Sequence, residues 1–204
     1  MEHLKLGVLC SHNGTNLQAI IDACFSRQLN AELRVVIGNN SKSYAFIRAK
    51  RANIPVSHIS GKTHKSLDSI DEAILETLLD NQVNLVLLAG YMKKLGPKTV
   101  SGYKGRILNI HPSLLPLYGG KNMFGRAVHQ AVLNAGDIVT GASIHLVNHE
   151  YDVGKILAQM KVPVNKNDTV NSLSNRVLKH EHELYVKTLR MIERGDIKLE
   201  SFTR

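Results

Sequence analysis

A chain of 204 residues is long enough for a single domain with a substantial core. Hydrophobic residues at 43% and charged residues at 21% match ordinary globular usage and exclude a disordered or fibrous protein. The net charge of +9 favours anionic partners, but with 5% aromatics, no Trp and scattered basic residues, the expected partners are small phosphorylated or carboxylated molecules and not nucleic acid.

In chain order, Leu4 to Cys10 (LKLGVLC) reads as a buried strand. It is too short for a signal-peptide core and no small-residue cleavage site follows it, so a cytoplasmic protein is expected. A polar loop, Ser11 to Gly14, leads into Leu17, Ile20, Ile21 and Cys24 at helical spacing. The alternation repeats as a strand at 33–38, a helix near 43–53, a strand at 55–59 and a helix near 66–80 with Leu67, Ile70, Ile74 and Leu78 on one stripe. Strands at 83–89 and 106–111 follow. The longest nearly apolar run, Val83 to Gly90, falls far short of the roughly 20 residues that span a bilayer, so no membrane segment is expected. Past Pro112 come a glycine-bearing loop (LYGGKNMFG), a helix near 126–135, strand-like segments at 141–148 and 155–164, and a long helix from Thr169 to Arg194. Strands nearly continuous in Val, Leu and Ile that alternate with helices predict an α/β fold, a doubly wound and mostly parallel sheet with helices on both faces. Cys10 and Cys24 lack CxxC spacing and are expected as reduced thiols.

In such sheets ligands bind beyond the carboxyl ends of the strands, so polar residues there are the first candidates. Ser11-His12-Asn13-Gly14-Thr15-Asn16, between strand and helix, would offer free backbone N–H groups to a phosphate, or serve only as loop and helix cap. In Ile107 to Pro112 (ILNIHP), strand alternation puts Asn109 and His111 on one face, an amide that can donate to a developing oxyanion beside an imidazole that titrates near neutrality. The segment His145 to Gly154 (HLVNHEYDVG) runs into an acidic loop whose Asp152 gains meaning only if it meets His111. No HExxH, CxxC or close ligand pair suggests a metal, and no GxSxG suggests a serine hydrolase. In the closing helix, Val170, Leu173, Val177, Leu184 and Met191 form one stripe, and Glu181 falls inside it. A carboxylate there needs a basic partner, a route to solvent or a ligand with hydroxyl donors.

On SHNGTNLQAIIDAC, LVLLAGYMKKL, RILNIHPSLLP, TGASIHLVNHEYDVGKILAQ and KHEHELY, which span most of the chain, the sequence resembles the phosphoribosylglycinamide formyltransferases, folate-dependent enzymes of purine biosynthesis. The resemblance implies one formyltransferase domain over 1–204, with a Rossmann-like half at 1–104 that binds the ribonucleotide and a catalytic, folate-binding half at 105–204. It implies phosphate contacts at Gly14, Thr15 and Asn16, a catalytic trio of Asn109, His111 and Asp152, and folate contacts at Met92, Lys93, Lys94, Leu95 and Asn109. Glu181 would hold the ribose hydroxyls. The implied co-substrate is 10-formyltetrahydrofolate, with no metal, no nucleic acid and no membrane, in a monomer or homodimer. In the implied chemistry, Asp152 keeps His111 protonated while Asn109 and His111 stabilise the oxyanion. Three positions depart from the family pattern: His12 stands in place of a glycine, Leu67 in place of an arginine that some members use for the folate, and the GGKNMFG loop is longer than in some members.

Rival readings are a formyltetrahydrofolate hydrolase, expected to carry an extra N-terminal domain, and a methionyl-tRNA formyltransferase, expected to carry a C-terminal nucleic-acid-binding domain. A non-catalytic anion-binding α/β module would have no need of Asn109, His111 and Asp152.

Overall fold

Seven strands and six helices alternate, save that β7 follows β6 directly, along residues 3–199, the part that the computed structural model describes. They are β1 (Leu4–Cys10), α1 (Thr15–Phe25), β2 (Ala31–Gly38), α2 (Tyr44–Arg51), β3 (Val56–His58), α3 (Leu67–Asp80), β4 (Leu85–Leu88), α4 (Pro97–Gly102), β5 (Ile107–His111), α5 (Arg126–Ala135), β6 (Val139–Leu146), β7 (Ile156–Pro163) and α6 (Val170–Arg194). The strands form one sheet in the order β3-β2-β1-β4-β5-β6-β7, parallel from β3 through β5, with β6 and β7 antiparallel. The predicted doubly wound α/β fold is observed. The short α4, started by Pro97 at its first turn, has no counterpart in the sequence reading.

Strand alternation divides the core in two. Leu6, Val8 and Cys10 of β1, with Leu85, Leu87, Leu108 and Ile110, pack beneath α1, α2, α5 and α6. Leu9, with Val35, Ile37, Val86, Leu88 and Ile107, packs against Ile74 and Leu78 of α3 and Val100 of α4. The two cysteines are free, and burial pushes the Cys10 thiol up to about 12. Tyr185 of α6 directs its hydroxyl at the carbonyls of Leu88 and Leu108 at 3.2 and 3.3 Å, pinning α6 across the sheet where β4 ends beside β5. Glu181, one turn earlier on the same face, is thereby held over the carboxyl end of the sheet.

Candidate active site

From β1 the chain proceeds to β2 on one side, while β4 lies on the other, so strand order reverses between β1 and β4. The loops after these strands knit together there: the Ser11 N–H donates to the Gly90 carbonyl at 3.1 Å and the Met92 N–H to Ser11 Oγ at 2.8 Å. A cavity of about 420 Å³ opens at this reversal, and Asn16, Met92, Lys93, Asn109, His111, Asp152 and Glu181 all face it. Lys94 and Leu95 lie beside it, in a recess of about 90 Å³ shared with Asn109, His145, Tyr151 and Asp152, and along a groove of about 990 Å³ that runs to Leu67 on α3. Gly14 and Thr15 lie at the start of α1 and are not among the residues lining the cavity.

At one end of the cavity, the antiparallel register sets Asn109 opposite His145. Directly paired residues share a sheet face, and Asn109 Nδ2 donates to His145 Nε2 at 3.0 Å. His145 Nδ1 lies 2.9 Å from the Leu146 carbonyl, which can only accept, so Nδ1 carries the hydrogen and Nε2 the lone pair. Asn109 keeps its second amide hydrogen for a ligand. His111 Nε2–H likewise donates to the Tyr118 carbonyl at 2.7 Å, which makes Nδ1 its titrating atom, 3.5 Å from Asp152 Oδ2. The other carboxylate oxygen of Asp152 is 3.4 Å from His145 Nε2, and Oδ2 accepts from the Gly120 N–H at 3.0 Å. Asp152 reaches this position because Gly154, two residues on, lets the loop press against β6: a Cβ on Gly154 would lie 1.7 Å from the Leu146 carbonyl oxygen.

Burial raises the Asp152 carboxyl, but His145, His111 and the Gly120 N–H outweigh it and hold it below the usual carboxylate value. For His111 the balance tips the other way. Burial pulls it below the ordinary histidine value, outweighing the pull upward from Asp152 and the Tyr118 carbonyl. The expectation that Asp152 keeps His111 protonated is therefore corrected. The imidazole rests neutral at pH 7, with its Nδ1 lone pair available as a base, because the ring is 3% exposed and too little water remains to solvate its charge.

At the other end, Gly14 precedes α1 with φ +64°, a left-handed conformation, and a Cβ there would approach Ala45 Cβ to 2.7 Å. No side chain caps α1, so its first N–H groups and positive dipole end are free for an anion. Glu181 points inward, as its place in the stripe implied, and accepts from Asn16 Nδ2 at 2.8 Å. No Lys or Arg pairs with it among the described residues, so the structural ion pair is not what holds it. Burial raises its pKa, and the Asn16 amide offsets only part of that rise.

In the sequence His145 only opens the HLVNHEYDVG segment, and nothing there assigns it a role. Strand alternation alone does not reveal that it faces Asn109; the β5–β6 register does. The Tyr118 carbonyl left no sequence signal at all, since a backbone acceptor carries none.

The formyl transferase pattern matches residues 4–189. Phosphoribosylglycinamide formyltransferase of Haemophilus influenzae is 40% identical over 196 residues, covering 96% of this chain and 90% of that one. The chain belongs to the formyl transferase family. A trifunctional purine biosynthetic protein adenosine-3 from Chironomus tentans is 38% identical over 197 residues, which cover 96% of this chain and 14% of that larger protein. The crystal structure of glycinamide ribonucleotide transformylase 1 from Symbiobacterium toebii superposes with a TM-score of 0.90 at 37% identity, over 98% of this chain and 92% of that one. Against this family background, His12 is an exposed loop residue, and Leu67 is 85% exposed at the mouth of the long groove. The longer loop, Gly120 to Gly125, forms one wall of the cavity.

Proposed function

We propose that this formyl transferase moves the formyl group of 10-formyltetrahydrofolate onto the primary amine of 5-phosphoribosylglycinamide, a step of de novo purine (IMP) biosynthesis carried out in the cytoplasm. The observation that carries the reading is the convergence of Asn109, His111 and Asp152 on one cavity, with His145 Nε2 accepting from the Asn109 amide and lying 3.4 Å from the Asp152 carboxylate. On this reading residues 1–104 supply the phosphate end, through Gly14, Thr15 and Asn16, and Glu181 of the half at 105–204 receives the ribose hydroxyls. Met92, Lys93, Lys94, Leu95 and Asn109 border the folate, whose tail follows the groove toward Leu67.

The amine nitrogen attacks the formyl carbon, and the carbonyl oxygen becomes an oxyanion that accepts the free amide hydrogen of Asn109. The attacking nitrogen loses a proton to Nδ1 of neutral His111, and Asp152 stabilises the imidazolium so formed. The bond from the formyl carbon to the folate nitrogen then breaks, and that nitrogen takes the proton back from His111. One N–H is lost and one gained, so the protein ends as it began. Preorganised donors of this kind contribute roughly 10²–10³-fold each.

The test is turnover with formyl folate and glycinamide ribonucleotide. Formylated ribonucleotide appearing in step with free folate supports the reading. Release of formate when the amine is left out points to the hydrolase, and no reaction with either points to a binding module.

A further inference from the structure

Helix α5 brings a second imidazole to the cavity, one that the reaction as written does not use. His129 is 2% exposed and lines the same cavity as Asn16, His111 and Glu181. Its Nδ1 is fully enclosed, with no hydrogen-bond partner among the described residues. Burial, reinforced by the nearby His111, holds its pKa down to about 4, so the ring stays neutral at pH 7 with one N–H and one lone pair. A buried N–H without an acceptor is rarer than an unfilled lone pair, which assigns the lone pair to Nδ1 and the hydrogen to Nε2, at the edge of the ring left to the cavity. His129 does not border the recess of Asn109, His145 and Asp152, so its N–H serves whatever fills the larger space.

Given the proposed formyl transfer, on which this inference rests, that occupant is the amine substrate. Its ribose meets Glu181 and its amine must reach His111, and the segment joining them contains a single amide. We propose that His129 is a substrate-binding residue that donates from Nε2 to the carbonyl oxygen of the glycinamide, fixing the direction in which the amine approaches the formyl carbon. A neutral donor suits this place, because a second imidazolium would oppose the charge that His111 acquires during the reaction.

Steady-state kinetics of His129→Phe and His129→Gln test the proposal. Phe keeps the buried ring and removes both nitrogens, whereas the Gln side-chain amide can return an N–H close to the position of Nε2. The Phe protein should show KM for the ribonucleotide raised roughly 10-fold, in keeping with one lost hydrogen bond, with KM for the folate within about 2-fold and Tm unchanged or higher. The Gln protein should recover most of that loss. A Phe protein with ribonucleotide kcat/KM within about 2-fold of wild type overturns the assignment. So does a Gln protein as impaired as the Phe one, or a lowered Tm with both KM values moving together, since each indicates a packing role. Lack of turnover in the wild type would sink the parent reading and this one with it, whereas normal wild-type turnover with an unaffected Phe variant sinks this one alone.

Discussion

At one end of the cavity Asp152 accepts from the Gly120 N–H and stands between two imidazoles; at the other, Glu181 rests against a single amide, that of Asn16. Both carboxyls lose water on folding, and burial raises both. Asp152, on a loop, has the Gly120 N–H and two neighbouring imidazoles and ends below its ordinary value, while Glu181, on the inner face of a helix, has one amide and ends above its own. Neighbouring groups, and not depth alone, decide in which direction each carboxyl shifts. Asp152, held below its ordinary value, can support an imidazolium as it forms. Glu181, under-satisfied, is left wanting donors, which the hydroxyls of a sugar would supply.

The contrast breaks most sharply at the catalytic end. His111→Ala should lower kcat on the order of 10²–10⁴-fold, the usual contribution of a positioned acid–base group, with ribonucleotide Kd within a few-fold of wild type by calorimetry. Activity close to wild type would remove His111 from the proton path.

Asp152→Asn should cost somewhat less, about 10²-fold in kcat, and its pH profile carries the sharper information. As a base, His111 works only when neutral, so activity rises with pH through its pKa, already below the ordinary histidine value. Removing the neighbouring negative charge lowers that pKa further, so the acid limb should move to lower pH while the plateau falls. An NMR titration giving the same His111 pKa in both proteins contradicts the coupling.

At the other end Glu181→Gln should weaken ribonucleotide binding by roughly 10-fold or more, as expected for hydrogen bonds to a charged group, and leave folate binding within about 2-fold. The sign of its stability effect is opposite to that of a salt-bridged acid. A carboxyl whose folded pKa is raised contributes its stability at low pH and loses it as pH climbs from the unfolded value of 4.5 through the raised folded one. The Gln protein should therefore gain on wild type between pH 5 and 8 in thermal unfolding. A large loss of Tm with unchanged binding would make Glu181 a structural residue.

The smallest effect is expected at Gly14→Ala. A left-handed backbone costs a side chain about 1–2 kcal/mol, and here Ala45 stands 2.7 Å from the new Cβ. Denaturant melts should show a loss of that order or slightly more, together with a few-fold loss of phosphate affinity. An unchanged midpoint would mean that the loop adapts freely.

Much of this was legible in the residues. Runs such as Leu85–Leu88 and Ile107–Leu108, punctuated by helical stripes, specify a buried parallel sheet because both of its faces must be covered. The Asn109-x-His111 spacing specifies one shared face, and the stripe around Glu181 specifies an inward carboxylate. The short α4 escaped because six residues hold too few turns to display a period. His145 and His129 escaped as site residues for a related reason: each becomes meaningful only through a neighbour distant in sequence, Asn109 for one and His111 for the other.

The sequence by itself thus determined the order of elements, the class of the sheet and the chemistry available at its carboxyl ends, because these follow from local periodicity and side-chain type. Only the tertiary structure decided the protonation states. It set the β5–β6 register that pairs Asn109 with His145, turned the Tyr118 carbonyl onto His111 Nε2, and enclosed the ring so fully that burial outweighs Asp152. Charge balance in a cavity is a sum over groups brought together from the whole chain, and no stretch of sequence contains that sum.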